Sequence, residues 1–243
     1  MTLYFIGLGL NNEKDITLKG LEAIKSCNKI YLESYTSKLQ CSKESLEKLY
    51  GKDIILADRD MVEKQAESTI LKDAKTQDTA FLVIGDPFGA TTHTDLMLRA
   101  KELKIETKVI NNTSILNAIG IMGLELYKFG RTVSIPFDEK ANSFYDFFKK
   151  NQSIGLHTLF LLDLNPINNR FLTIKEAIQR LLKLGLKEDQ LCIACSALGS
   201  EKKEIIARTA EQIKDIELKH TPQCLIIPGN LHFVEEDALK QWQ

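Results

Sequence analysis

Short apolar runs alternate with helix-length segments from the second residue to about residue 110, and this alternation restricts the fold more than any other feature. Strands are expected at 2–8, 29–34, 53–57, 79–84 and 107–110, with helices at 17–27, 42–50, 60–76 and 91–104. Ser42 reads as the N-cap of the second helix and Gly51 as its stop. Val62, Ala66, Ile70 and Ala74, four apart, give the third an apolar face. Strands that alternate with helices form a parallel sheet covered on both sides. Its crossovers are right-handed, and ligands collect at the carboxyl ends of its strands.

A second set of elements follows "KFGR". Strands are expected at 132–137, 157–163, 190–198 and 223–227, and helices near 143–150, 173–184, 209–215 and 233–241. The spacing is less regular, which leaves a parallel and a mixed sheet both open. Between the sets, 114–127 ("SILNAIGIMGLELY") is apolar on nearly every face and reads as a buried helix. A boundary near 112 gives two domains, 1–112 and 113–243, with no repeat or low-complexity linker.

Composition excludes several classes. The 32 basic and 33 acidic side chains leave a net charge of −1, so no direct nucleic-acid partner is expected. No apolar run approaches the ~18 residues of a membrane span. Met1–Gly7 opens a strand and lacks the basic region of a signal peptide. Five scattered cysteines, an odd number, make no disulfide framework and fit a reducing cytoplasm. Cys192 and Cys195 lie three apart in a strand-like stretch, so their thiols face opposite ways and share no metal; they read as small buried residues.

Three strand ends carry unusual residues: "FIGLGLNN", "VIGDPFGATTH" and "LIIPGNLH". The first matches a dinucleotide fingerprint only in part. Asn12 stands where the third glycine belongs, although Glu33 lies at the right distance for a ribose-binding acid. There is no P-loop and no nucleophile elbow. In the second, Asp86 at the tip of a central strand favours a cation or a hydrogen-bond donor, and Gly89 leaves room for a ligand. S-adenosylmethionine (SAM), a sulfonium and ammonium without phosphates, suits such a tip. A tight turn in which Asp86 or Thr91 caps the helix Thr91–Lys104 accounts for the same residues.

Several residues read as structural. His93 falls in the first turn of a helix, His157 opens a strand and His220 looks exposed; His232 could reach a cleft. Asp58-Arg59-Asp60 is a loop ion pair or a substrate contact, and "EKKE" at 201–204 a solvated turn. Tyr31, Glu33 and Tyr35 could hold a growing ammonium or simply end a strand.

"LYFIGLGL", "DITLKGLEAIKSCNKIYLESYTS", "GDPFGATTHTDL", "NTSILNAIGIMGLELYKFG" and "HTLFLLDL" run through almost the whole chain, and together they resemble the diphthine synthase branch of the tetrapyrrole methylase superfamily. The "GDP" element is shared widely in that superfamily; "YLESYTS" and "GDPFGATTH" are particular to the branch. The resemblance implies two α/β domains, an N-terminal parallel sheet and a C-terminal mixed sheet, with SAM in the cleft between them. It also implies a homodimer. Its enzymes methylate, repeatedly, the amine of a 3-amino-3-carboxypropyl group on a histidine of translation elongation factor 2, and in some lineages also the carboxylate. Cofactor contacts carried over are Leu10, Asp86, Gly89, Ser114, Ile115 and Leu162, with Leu198 in "ACSALG" and Gln223 at a position often occupied by histidine. No catalytic residue and no metal are implied. The segment between Leu164 and Thr173 is short for the branch. A methylase of tetrapyrroles or ribosomal RNA is the alternative within the superfamily. Outside it stand an NAD-dependent oxidoreductase and a non-catalytic partner of the translation machinery.

Overall fold

The computed structural model describes residues 1–243, which form two compact units, Met1–Leu116 and Asn117–Gln243. The first runs β1 (Thr2–Gly7), α1 (Leu18–Ser26), β2 (Lys29–Glu33), α2 (Lys43–Tyr50), β3 (Ile55–Ala57), α3 (Arg59–Glu63), α4 (Ile70–Thr76), β4 (Thr79–Val83), α5 (Thr94–Glu102) and β5 (Glu106–Ile110). The sheet order is β3-β2-β4-β1-β5, and every neighbouring pair is parallel. The two-residue period of the strands divides its core. Leu3, Phe5, Tyr31, Phe81 and Val83 face α3, α4 and α5, whereas Ile6, Ile30, Leu32, Ala80 and Leu82 face α1 and α2. Ser42 caps α2 and Gly51 ends it in a left-handed conformation, as the sequence predicts.

The helix expected at 60–76 is three pieces: α3, a 3-10 turn at Ala66–Ser68, and α4. The apolar spacing survives the break because Val62, Ala66, Ile70 and Ala74 are all buried. The helix expected at 91–104 starts only at Thr94, and neither Asp86 nor Thr91 caps it. Thr91 donates to the Pro87 carbonyl instead (2.7 Å). The helix expected at 114–127 also dissolves. Only α6 (Ile115–Ala118) is α-helical; 3-10 turns follow at Ile119–Met122 and Leu126–Lys128. Gly123 in left-handed conformation breaks the stretch, and Leu116, Ile121, Leu126 and Tyr127 are exposed, so apolar composition overstated its burial.

The second unit runs β6 (Val133–Ile135), α7 (Ser143–Ser153), β7 (Thr158–Leu162), β8 (Leu164–Asn165), β9 (Arg170–Phe171), α8 (Ile174–Lys183), β10 (Leu191–Ser196), β11 (Glu204–Thr209), α9 (Ala210–Ile213), β12 (Gln223–Ile227) and α10 (Phe233–Leu239). Its main sheet is mixed, in the order β11-β10-β12-β7-β6. Only β6–β7 is parallel. Thr173 and Glu176 form a capping box for α8, whose Ile174, Ala177, Ile178 and Leu181 are buried. Cys192 and Cys195 are both fully buried on β10; only Cys192 joins the core beneath α7, α8 and α9. Sequence reasoning missed β11: a strand follows directly from the charged turn, pairing Glu204 with Ser196. It also missed the β8–β9 hairpin, which makes up the short 164–173 segment. No helix is long and apolar enough to cross a membrane.

Candidate cofactor site

At the carboxyl edge of the parallel sheet two glycine loops are tied together. Gly9 (φ +75°) and Gly85 (φ +87°) adopt left-handed backbone and exchange two hydrogen bonds, Gly9 N–H to Gly85 O (3.2 Å) and Gly85 N–H to Gly9 O (2.8 Å). The loop beyond β1 then folds onto Asp15, whose carboxylate accepts from the amides of Leu10 (3.2 Å) and Asn11 (2.8 Å). These amides therefore do not point at a phosphate, and α1 begins eight residues beyond Leu10, at Leu18. Glu33 is no ribose ligand either. It is fully buried, and its carboxylate accepts from the amides of Tyr35 (3.3 Å) and Thr36 (3.0 Å) and from the Thr36 hydroxyl. Burial pushes its pKa up, and those hydrogen bonds oppose the shift. The two features that favoured a dinucleotide are both spent inside the protein.

Asp86 holds the same edge together. Its Oδ1 accepts from Phe88 N–H (3.0 Å), and its Oδ2 accepts from the Asn111 side-chain amide (2.9 Å) and Asn112 N–H (3.1 Å). The turn after β4 is thereby fixed to the segment after β5. Ser114 belongs to that segment, is nearly buried, and its hydroxyl accepts from Leu116 N–H (3.1 Å). Gly89 lies against it so closely that an added Cβ would come within 2.7 Å of Ser114 Cβ. A Cβ on Gly85 would lie 3.7 Å from both Leu10 Cδ2 and Ser114 Cα. Leu10, Asp86, Gly89 and Ser114, with Ile115 next in the chain, are thus brought to one edge.

Leu162, Leu198 and Gln223 gather at one end of the mixed sheet. Gln223 opens β12 opposite Ser196, and Leu161, next to Leu162, pairs with Cys224. Their side chains have structural tasks. Leu162 is part of the core. The Gln223 amide oxygen accepts from Ile174 N–H at the start of α8 (2.8 Å), and its NH2 donates to the carbonyls of Leu218 (3.3 Å) and His220 (3.1 Å). Leu198 is buried beyond Ala197, a residue with φ +45°. Any ligand contact from these residues is left largely to the main chain.

The remaining polar candidates are structural. Tyr31 donates its hydroxyl to Asp73 (2.8 Å), which ties its ring to α4. Asp58 caps α3, and Arg59 lies over the Tyr35 ring (5.3 Å). His232 caps α10 rather than reaching a cleft, and His220 is half-buried rather than exposed. His157 is fully buried. It accepts from Gly229 N–H through Nδ1 (2.9 Å), which leaves Nε2–H to donate to Glu235 (2.9 Å). Burial would raise the Glu235 pKa, but donors from His232, Lys128, Glu125 and His157 bring it down to about 2. Sequence reasoning missed this buried cluster because its members are far apart in the chain; Lys128 is 107 residues from Glu235.

These features describe an α/β protein with a glycine-lined edge at the carboxyl strand ends of its parallel sheet. Residues 2–214 match the model of the Tetrapyrrole (Corrin/Porphyrin) Methylases. A diphthine methyl ester synthase of Dictyostelium discoideum is 46% identical over 270 aligned positions, covering 100% of this chain and 98% of the relative. A probable diphthine methyl ester synthase of Arabidopsis thaliana is 45% identical over 98% of this chain and 97% of its own. Among solved structures, a putative diphthine synthase from Entamoeba histolytica superposes with TM-score 0.90 at 38% identity, covering 99% of this chain and 98% of its own. Another diphthine synthase reaches TM-score 0.94 at 32% identity over 100% and 96% of the two chains. The chain belongs to the tetrapyrrole methylase family, in its diphthine synthase branch.

Proposed function

We propose that this protein is a SAM-dependent methyltransferase of diphthamide biosynthesis. It acts on the 3-amino-3-carboxypropyl-histidine of translation elongation factor 2, methylating the amine in steps and, in keeping with its relatives' names, the carboxylate to a methyl ester. The observation that carries this reading is the end-to-end match, at 44–46% identity, to diphthine methyl ester synthases. The residues suit SAM: glycine, serine, aliphatic side chains, an amide and a carboxylate, with no lysine or arginine among Leu10, Asp86, Gly89, Ser114 and Ile115 of the first unit or Leu162, Leu198 and Gln223 of the second. When bound, SAM supplies an electrophilic methyl on a good leaving group, so the protein's contribution is placement and exclusion of water. Asp86 Oδ1, with one donor already bound, keeps an acceptor position for a cationic or N–H group of the cofactor. A cytoplasmic homodimer completes the reading; the five unpaired cysteines accord with a reducing compartment.

Intact-mass spectrometry tests it. Elongation factor 2 carrying the unmethylated intermediate is incubated with the protein and SAM, and stepwise gains of methyl mass are expected. No gain, with SAM binding verified separately, would sink the assignment and send the search to tetrapyrroles and RNA.

A further inference from the structure

The two branch-specific motifs meet on one buried histidine. His93 is 1% exposed and occupies the N-cap position of α5, yet its side chain caps nothing. Its Nδ1 lies 3.1 Å from the Pro87 carbonyl, and its Nε2 lies 3.4 Å from the hydroxyl of Tyr35, 58 residues earlier. A carbonyl only accepts, so Nδ1 carries the proton. Nε2 of the neutral ring is then the acceptor for the Tyr35 O–H. The ring stands edge-on to Phe81 (5.1 Å) and Tyr35 (6.2 Å). Tyr35 is held in turn by Glu33, which accepts from its amide, and by Arg59 over its ring. One side of His93 therefore grips the turn that carries Asp86 and Gly89. The other grips the loop after β2.

We propose that His93 is a positioning residue for the cofactor: as the neutral Nδ1–H ring it locks the Asp86–Gly89 turn to the Tyr35 loop, and a proton on Nε2 loosens the turn and weakens SAM binding. This rests on the reading of that turn as a SAM contact. Protonation removes the acceptor that Tyr35 uses and places a cation in a buried site. No carboxylate waits to receive it. Glu33 is spent on backbone and Thr36; Asp95, on α5 itself, pairs with Arg99 (3.0 Å); Glu63 and Arg59 surround Tyr35, whose phenol also bonds Thr92. Burial holds the His93 pKa below the ordinary histidine value despite the Pro87 carbonyl, so the charged ring forms only as the contact opens.

SAM affinity of the full chain, measured by calorimetry between about pH 5.5 and 7.5, tests the proposal in wild type, Tyr35→Phe and His93→Gln. Wild-type affinity should fall only at pH values below the ordinary histidine value of about 6.5, because burial lowers the His93 pKa. Tyr35→Phe keeps the ring and loses one neutral hydrogen bond, so it should bind about two- to tenfold more weakly at pH 7.5. His93→Gln should bind weakly at every pH, with a flat profile. Variants that melt earlier but bind SAM like wild type, with the same pH profile, would make His93 merely structural and overturn the proposal. If His93→Gln does not fold, the wild-type profile and Tyr35→Phe decide. A wild type that binds no SAM at any pH is a different failure: it removes the cofactor reading, and this inference with it.

Discussion

In the first unit all strands point one way, so the segments leaving β1, β4 and β5 deliver Leu10, Asp86, Gly89 and Ser114 to a single edge. In the second, every neighbouring pair except β6–β7 is antiparallel. Leu162 and Leu198 lie where β7 and β10 end, whereas Gln223 lies where β12 begins. The rule that ligands sit at carboxyl ends works for a parallel sheet because those ends coincide. In an antiparallel sheet each edge mixes starts and ends, so sequence position no longer says which residues share it. The units also differ in how they bury a glutamate. Glu33 and Glu235 are both fully buried. Burial pushes Glu33 up, since its partners are a hydroxyl and amides; for Glu235 the same penalty is overcome by donors that include the Lys128 ammonium. Burial alone does not set a carboxylate's charge. The donors around it do.

The largest effect expected to test this contrast is Glu235→Gln. It leaves Lys128 without its buried partner and should cost about 2–4 kcal/mol in urea unfolding; the low side reflects the partial exposure of Lys128. Wild-type stability from Glu235 is present above the unfolded value of about 4.3 and is lost as pH falls towards about 2; an acid titration that shows no such loss in wild type contradicts the cluster. Next comes Asp86→Ala, which removes the acceptor of three donors and, as proposed, a cofactor contact. SAM affinity should fall roughly ten- to a hundredfold by calorimetry; an unchanged affinity would reduce Asp86 to a structural brace. Gln223→Ala breaks only neutral bonds to Ile174 and the 218–220 segment. A loss of about 0.5–1.5 kcal/mol is expected, with SAM affinity changed less than in Asp86→Ala. If Gln223→Ala proves the more damaging to SAM binding, the second unit's contacts are side-chain contacts after all. The smallest effect belongs to Glu33→Gln. Its amide can accept from the Tyr35 and Thr36 N–H groups and donate to the Thr36 hydroxyl, with the Ile84 N–H the one donor it meets less well, so stability should change by less than about 1 kcal/mol at pH 7. Because the folded pKa of Glu33 lies above its unfolded value, its contribution to stability grows as pH falls, and Glu33→Gln should abolish that trend.

The sequence by itself determined the strands and the first two helices of the first unit, its parallel class and the turn with Asp86 and Gly89. These follow from periodicity and from glycine and proline, whose effects are local. Tertiary structure decided the rest. The continuous helices expected at 60–76 and 114–127 break because packing and Gly123 override an apolar average. β11 emerges from a charged turn because a partner strand, β10, is there to pair with it. The Gly9–Gly85 bridge, the Tyr35–His93–Pro87 chain and the Glu235 cluster join residues tens of positions apart. Hydrogen bonds of that kind depend on where the sheet and its loops place the backbone, and no local pattern encodes that placement.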